Sequence, residues 1–573
     1  MRRGLLVVVV VAAAAAAASL HQPRPPVPPD QNRPLGAAHA SDPPDNHKHH
    51  RFLNHQTKKY ALNGTAIPDV DFDIGEAYAG LMSISKDPDG PDKFFFWFQP
   101  STNPAADREI LIWLNGGPGC SSLEGLLQEN GPFAWQYGTF RPVANPWAWH
   151  RLTHVLWVEQ PLGTGFSTGN VTARGEEDLA RQFMGFFANF VDAFGLHGYK
   201  VYITGESYAG MYCPYIADAM LAAKDATYFN VKGMLLYDPA IIDARVTEMT
   251  VAPFVEHNRN LFPLNDSFVA YMRDADRRCG YAAARDTYLA FPPAGPLPAT
   301  LPGLDPATGL PLPGCGDYEL WSDVRDAATQ ANPCFDVYQV ATTCPLLWDV
   351  LGFPGTFGYL PKGASVYFNR PDVKKAIHAP VAKDWATCAP APVFVNSSDQ
   401  ADWSSLGPLP RVIDRTGNVV IAHGALDFFF LTNGTLLAIQ NMTFGGRRGF
   451  QTPPTEPFYV PYHRAGPPGS LAGAGVLGTT HSERGLTYVA VALAGHMVPQ
   501  YAPSAAFRHV EYLLGRVGSL SSKAPFTTDP GIPQPDGPLG KGTGPPVALI
   551  RRGWGVESSS VAEAEAHGGK GGI

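Results

Sequence analysis

A serine set among small residues at the end of an apolar run is where this chain first offers chemistry. Lys200-Val201-Tyr202-Ile203-Thr204 reads as a short strand that runs into Gly205-Glu206-Ser207-Tyr208-Ala209-Gly210 and then into a helix-like segment, Met211 to Ala223. A tight strand-to-helix turn lifts a serine hydroxyl clear of the backbone, as a nucleophile requires. The pattern G-x-S-x-G is not met to the letter, because Ala209 stands at the second glycine. Alanine is still small enough for strand and helix to approach closely. Serine becomes a competent nucleophile only when a positioned base takes its proton and a carboxylate fixes that base. Downstream of Ser207, Asp427 and His496 each sit in a turn just past an apolar strand-like run, Gly417 to Gly424 and Leu486 to Leu493. The rival base is His423, inside the strand that leads to Asp427.

These side chains need a frame. Tyr78 to Leu81 and Phe94 to Phe98 read as neighbouring strands joined by the turn residues Asp87-Pro88-Asp89-Gly90. Ile110 to Leu114 is continuously apolar, as a central buried strand is. It opens into the glycine-rich Asn115-Gly116-Gly117-Pro118-Gly119-Cys120-Ser121-Ser122, whose bare backbone N–H groups could cradle an anion. The Gly-Lys-Ser/Thr of a nucleotide loop is missing. A strand at His154 to Val158, a helix over Glu176 to Phe194, the Ser207 strand, and a further strand at Val231 to Tyr237 alternate as in a mostly parallel sheet covered by helices on both faces. The fold class is therefore α/β, of the α/β-hydrolase kind, with the chemistry at the carboxyl edge of the sheet. Residues 245–345 depart from this rhythm and read as a cap insertion with its own cysteines, Cys279, Cys315, Cys334 and Cys344. The core is thus expected over 60–244 and 346–515, with a Pro/Gly-rich disordered tail over 516–573.

Composition sets the outer bounds. The 573 residues are 45% apolar and 16% charged, enough for a sizeable core, and the net charge of −8 argues against nucleic acid as a partner. Arg2-Arg3 followed by an apolar run from Leu5 to Ala18 reads as a signal peptide over 1–18, short of the roughly 20 residues of a membrane span. The Pro- and His-rich stretch 19–59 reads as a propeptide or flexible leader; His47, His49, His50 and His55 are taken as solvated rather than as metal ligands. Export permits disulfides and N-glycans. Acceptor triplets begin at Asn63, Asn170, Asn265, Asn396, Asn433 and Asn441, and seven cysteines allow three bridges with one left over. The expected destination is secreted or vacuolar, and the expected state monomer or homodimer. No metal or cofactor is expected.

Three stretches then resemble one family. Trp113-Leu114-Asn115-Gly116-Gly117-Pro118-Gly119-Cys120-Ser121-Ser122-Leu123, Gly205-Glu206-Ser207-Tyr208-Ala209-Gly210 and Gly495-His496-Met497-Val498-Pro499 look like the serine carboxypeptidases, with Gln160-Pro161 and Gly165-Phe166-Ser167 also matching. The likeness runs from about residue 75 to 515. It implies an enzyme that releases single residues from peptide C-termini, with Ser207 as nucleophile, His496 as base and Asp427 as its orienter. It also implies an oxyanion hole from the N–H groups of Gly117 and Tyr208, and recognition of the substrate's free carboxylate by Asn115, Gly116, Glu129 and Glu206. By the same resemblance Cys120 pairs with Cys388, Cys279 with Cys344, and Cys315 with Cys334. Cys213 then remains as a buried thiol, and Met497 and Phe430 line apolar subsites.

Carboxylates crowded together cannot all ionise. A glutamate pair meeting a substrate carboxylate implies activity favoured in mild acid. An acyltransferase or esterase would use the same triad; the retention of both Glu129 and Glu206 favours the peptidase. Outside enzymes, a catalytically dead binding protein is the remaining class. One departure stands out: Tyr237-Asp238-Pro239-Ala240 occupies a turn where many relatives carry asparagine.

Overall fold

The structure is a computed structural model that describes residues 50–106, 108–352, 358, 360–463 and 474–530. The expected signal peptide, most of the leader and the tail beyond 530 lie outside the described residues. Two compact units divide at Arg51 and Phe52, and the fold below is that of the chain from Phe52 onward.

Ten strands form one sheet: β1 (Tyr78–Ser83), β2 (Lys93–Gln99), β3 (Glu109–Leu114), β4 (His154–Glu159), β5 (Lys200–Glu206), β6 (Asn230–Tyr237), β7 (Val419–Gly424), β8 (Glu456–Val460), β9 (Gly475–Glu483) and β10 (Leu486–Val491). Their spatial order is β1-β2-β4-β3-β5-β6-β7-β10-β9-β8. The central strands β4, β3, β5, β6, β7 and β10 pair in parallel, while each edge is closed by antiparallel strands.

The parallel strands are apolar throughout because both of their faces are covered. Successive side chains point to opposite faces, so Ile110, Ile112 and Leu114 enter one apolar layer and Leu111 and Trp113 the other. Helix α1 (Glu176–Phe194) covers the first layer with Phe183, Phe186, Phe187, Phe190 and Phe194, spaced to share one helical face. It stops at Gly195, whose φ of 68° is the left-handed turn glycine tolerates, with its N–H on the Val191 carbonyl. Helix α2 (Ala209–Ala223) follows the serine turn and packs on the same layer through Tyr212, Ile216 and Met220.

The insertion builds a third apolar cluster around Val246, Met249, Phe262, Met272, Trp321 and Val324. That cluster also takes in Phe428, Leu431 and Leu437 from the second half of the sheet domain, so the cap rests on the Asp427 loop. Residues 50–59, within the expected leader, include a buried Thr57 that bonds the Phe52 carbonyl, and Phe52 N–H donates to Glu76. In the expected tail, Leu520 and Phe526 are buried in the second layer.

Cys120 and Cys388 are bonded, with Cα atoms 3.8 Å apart. In the cap the pairing differs from the expected nested one. Cys279 is joined to Cys315 and Cys334 to Cys344, with Cα separations of 5.7 and 5.2 Å. Local packing explains the change. Arg278, beside Cys279, donates to the Gly314 carbonyl beside Cys315, and Asn332 closes the 332–344 loop by donating to Thr342 O at 2.8 Å. Each cysteine meets its neighbour in the same local unit. Non-reducing peptide mapping is expected to recover Cys279–Cys315 and Cys334–Cys344 cross-links; a Cys279–Cys344 peptide would restore the nested pairing. The Cys120–Cys388 link spans 268 residues, and its loss through alanine at both positions is expected to lower stability by on the order of 5 kcal/mol in the chain-entropy treatment, read as an earlier denaturant midpoint.

Candidate active site

Ser207 lies where β5 passes into helix α2, with φ of 61°. A non-glycine residue in that region is strained, and such strain gathers at functional turns. The turn is held by Ser207 N–H on Tyr237 O at 3.0 Å and by Gly210 and Ala240 N–H groups on the Ser207 carbonyl, both at 2.9 Å. Gly205 admits no side chain: a Cβ there would lie 2.6 Å from the Ala209 Cβ. Alanine at 209 is therefore accommodated because glycine stands at 205.

The glycine-rich loop closes over this turn. A Cβ on Gly116 would meet Tyr208 N at 2.4 Å and Ser207 Cβ at 2.7 Å, so only glycine lets the backbone come so near. Gly117 has φ of 113°. The loop is fastened to residues 387–389 by Ser121 N–H on Thr387 O and Ala389 N–H on Gly119 O, both 2.8 Å, besides the Cys120–Cys388 bond. Beneath it the buried Glu159 accepts from Ser121 Oγ, Phe166 N–H and Trp385 Nε1, and burial pushes its carboxyl up to about 7.

His496 Nδ1 donates to Asp427 Oδ2 at 2.8 Å, and the Phe429 and Phe430 N–H groups donate to Asp427 Oδ1 at 2.7 and 3.2 Å. Both side chains are buried. His423 lies behind them. Its Nε2 donates to Phe430 O at 2.9 Å, its Nδ1 accepts from Thr435 Oγ1 at 3.1 Å, and burial lowers it to about 4. Such a histidine is a neutral structural group, so the geometry favours His496 over its rival. Asp238, Asp427 and His496 also offer ligand atoms within 4.8 Å of one another, the one such cluster among the described residues. Asp427 and the His496 Nδ1 atom are already taken up by the bonds above, which does not suit a cation.

The proposed carboxylate-binding residues converge. Asn115 Nδ2 donates to Glu206 Oε1 at 2.8 Å and reaches Glu129 Oε1 at 3.5 Å, while its Oδ1 accepts from Trp113 Nε1 at 2.7 Å. Glu129 is not on a solvated surface; it and Glu206 are 3% and 4% exposed. Burial raises Glu129 to about 8 against the pull of Glu206 and Asn115, and burial followed by the charges of Glu129 and Glu124 raises Glu206 well above the usual range. The pair therefore holds a proton at neutral pH. Tyr208 turns its hydroxyl to Asp399 Oδ2 at 2.7 Å, leaving its N–H on the side of the glycine loop.

Of the apolar subsite candidates, Phe430 lies with its ring 5.7 Å from that of His496, and Met497 is buried. Two further rings were not foreseen: Tyr338 from the insertion at 5.0 Å and Phe429 at 5.7 Å from the imidazole. The Phe428-Phe429-Phe430 run was a sequence signal for Phe429; nothing in the sequence marked Tyr338. Cys213 is buried and unbonded, and burial holds its thiol well above the usual range. Asn63, Asn170, Asn265 and Asn396 are exposed, whereas Asn433 and Asn441 are half-buried and Asn441 Oδ1 accepts from Leu297 N–H.

The family model for serine carboxypeptidases matches residues 68–516. The chain belongs to the serine carboxypeptidase family. It is 55% identical over 480 residues to a probable serine carboxypeptidase of Arthroderma benhamiae, covering 82% of this chain and 88% of that one. It is 46% identical over 492 residues to serine-type carboxypeptidase F of Aspergillus niger, covering 82% and 89%. Among solved structures, the Kex1 prohormone-processing carboxypeptidase of Saccharomyces cerevisiae superposes with a TM-score of 0.62 at 22% identity, over 81% of this chain and 98% of that one, a likeness of fold.

The buried acids of this serine carboxypeptidase set its stability against pH. Glu124, Glu129 and Glu248 are raised to about 8 by burial, so the folded chain binds protons that the unfolded chain has released. Their contribution is present in acid and is lost as pH rises through about 8. His150 and His423, lowered to about 4 from 6.5, act oppositely but only below 6.5. The melting temperature is therefore expected to fall between pH 6.5 and 8; a rise over that interval in calorimetry would contradict the placement of these acids.

Proposed function

We propose that this serine carboxypeptidase releases single amino acids from peptide C-termini through an acyl-enzyme, best in mild acid. Ser207 Oγ attacks the carbonyl of the last peptide bond while His496 Nε2 takes its proton and Asp427 steadies the imidazolium. The N–H groups of Gly117 and Tyr208 receive the developing oxyanion, each donor contributing on the order of 3 kcal/mol. The imidazolium then protonates the departing amino group, and a water activated by the same histidine frees the acyl chain.

The observation that carries the exopeptidase reading is the Asn115–Glu206–Glu129 cluster beside the serine turn. A protonated glutamate donates to the free carboxylate of the substrate; once ionised it repels that carboxylate. Gly116 completes this site through its backbone. The rings of Phe430, Phe429 and Tyr338, with Met497, suit apolar side chains flanking the scissile bond. Export to the exterior or a vacuole agrees with the Arg2-Arg3 leader, three disulfides and the exposed acceptors Asn63, Asn170, Asn265 and Asn396. No helix of the described residues is long and apolar enough to cross a membrane.

N-blocked dipeptides are expected to lose their last residue to the wild type and not to Ser207→Ala, a loss of at least about 10⁴-fold in kcat. C-terminally amidated dipeptides should be poor substrates. Peptide KM should be low in mild acid and rise toward about pH 8 as the Glu129–Glu206 pair gives up its proton. A flat KM across that range, or equal turnover of amides, would sink the glutamate-pair reading; turnover of activated esters alone would point to an esterase or acyltransferase.

A further inference from the structure

Asp238 sits beside the triad without a role in the reaction as derived so far. It is fully buried at the end of β6 and has φ of 41°, a conformation that aspartate and asparagine tolerate better than most residues. Its Oδ1 accepts from Gly424 N–H at 2.9 Å and lies 3.2 Å from His423 Nε2. Its Oδ2 receives no hydrogen bond from a conventional donor. One of its oxygens lies within 4.8 Å of an Asp427 oxygen.

The surroundings decide which acid carries a proton. The only ion-pair partners of either carboxyl among the described residues are histidines, His423 for both and His496 for Asp427. His423 is held neutral by burial, and its Nε2–H is directed to Phe430 O. The other titratable groups that act on Asp238 or feel it are Glu129, Glu206, Tyr237 and Tyr488, none of them a cation. Two buried like charges this close are not both sustained. Asp427 receives three donors, from Phe429, Phe430 and His496, whereas Asp238 receives one from the backbone. The charge belongs on the carboxyl with more donors, and the proton on the vacant oxygen of the other.

We propose that Asp238 is a positioning residue: a neutral carboxylic acid whose Oδ2–H donates to Asp427 and holds the carboxylate that orients His496. Burial and the neighbouring Asp427 charge keep Asp238 protonated well above the usual carboxylate range, which agrees with this assignment. The O–H draws charge from Asp427, so the carboxylate stabilises an imidazolium at His496 less than a bare carboxylate would. Asparagine at 238 would supply an N–H in place of the O–H. Alanine would supply nothing and leave the whole charge on Asp427.

This rests on the peptidase reading for its kinetic part, and the first measurement needs no turnover. With isotope at the aspartate Cγ, wild type at neutral pH is expected to show a protonated aspartate signal that is missing in Asp238→Asn; its absence from wild type would overturn the proposal even in a fully active enzyme. In peptide hydrolysis, Asp238→Asn is expected to keep kcat/KM within about threefold with its acid limb unmoved, because a donor remains. Asp238→Ala is expected to move the acid limb of kcat/KM up by about one pH unit, a tenfold loss on that limb, with KM within about twofold. Folding is checked by melting. Equal losses in both variants with unchanged profile shape, or an acid limb that moves in Asp238→Asn, would reduce Asp238 to packing. A protonated signal in a chain that hydrolyses no peptide would instead retire the function and leave the Asp238–Asp427 bond standing.

Discussion

Burying acids without cations is the constraint on which this site depends. Around the carboxyl edge of the sheet, acid groups face one another: Glu129 with Glu206, Asp238 with Asp427, and Glu176 with Asp399. Orphaned oxygens fall on Glu129, Glu206, Asp238 and Glu176, members of these same pairs. An isolated buried carboxylate costs several kcal/mol, and a shared proton removes most of that cost. Burial raises Glu129, Glu206, Asp238 and Glu176 above the usual carboxylate range, so the fold favours the protonated form of these acids. Acid preference is thereby a property of the scaffold as much as of the reaction.

The cap takes part in that scaffold rather than standing over it. Phe428 N–H donates to Val337 O at 2.9 Å, His496 N–H to Tyr338 O at 2.7 Å, and Val340 N–H to Leu426 O at 3.2 Å. One insertion segment, residues 337–340, thus touches both loops that carry the histidine and its carboxylate. Trp321 adds an Nε1–H on Phe428 O at 2.6 Å and stacks on the Phe428 ring. Cap and histidine loop are therefore joined by backbone bonds, and the Tyr338 ring reaches the imidazole beside one of them.

Local sequence signals carried much of the frame. The apolar run at 110–114, the phenylalanine spacing over 176–194 and the serine turn all fall where strand and helix periodicity put them. His496 was legible because the glycine and proline around it mark a turn past an apolar strand, whereas Asn115 and Glu206 were assigned through the family resemblance. Pairings between distant parts of the insertion were not. Cys279, Cys315, Cys334 and Cys344 stand at spacings that allow several connectivities, and the choice is made by helix ends and loop closure that no local pattern records. The burial of Glu129 was not legible either: its neighbour Glu206 comes from β5, far along the chain, and Asn115 is turned toward it by the glycine-rich loop. Asp238 was visible as a departure, yet its meaning needed the Asp427 loop beside it.

Backbone bonding past the strand ends is what makes these separate loops one site. Ser207 N–H bonds Tyr237 O, Asp238 N–H bonds Ala422 O, Ala425 N–H bonds Val491 O and Leu426 N–H bonds Ala494 O, at 2.8 to 3.0 Å. The sheet ladder is thereby carried from the nucleophile turn through Asp238 to the Asp427 loop and the segment that enters His496. Parallel strands cannot be joined by tight turns, so their carboxyl ends leave room for loops from distant parts of the chain to meet. Here the loops meet on continued ladder bonds rather than on side-chain contacts alone. The proposed triad, drawn from residues 207 to 496, thus rests on loops that these ladder bonds tie to the sheet.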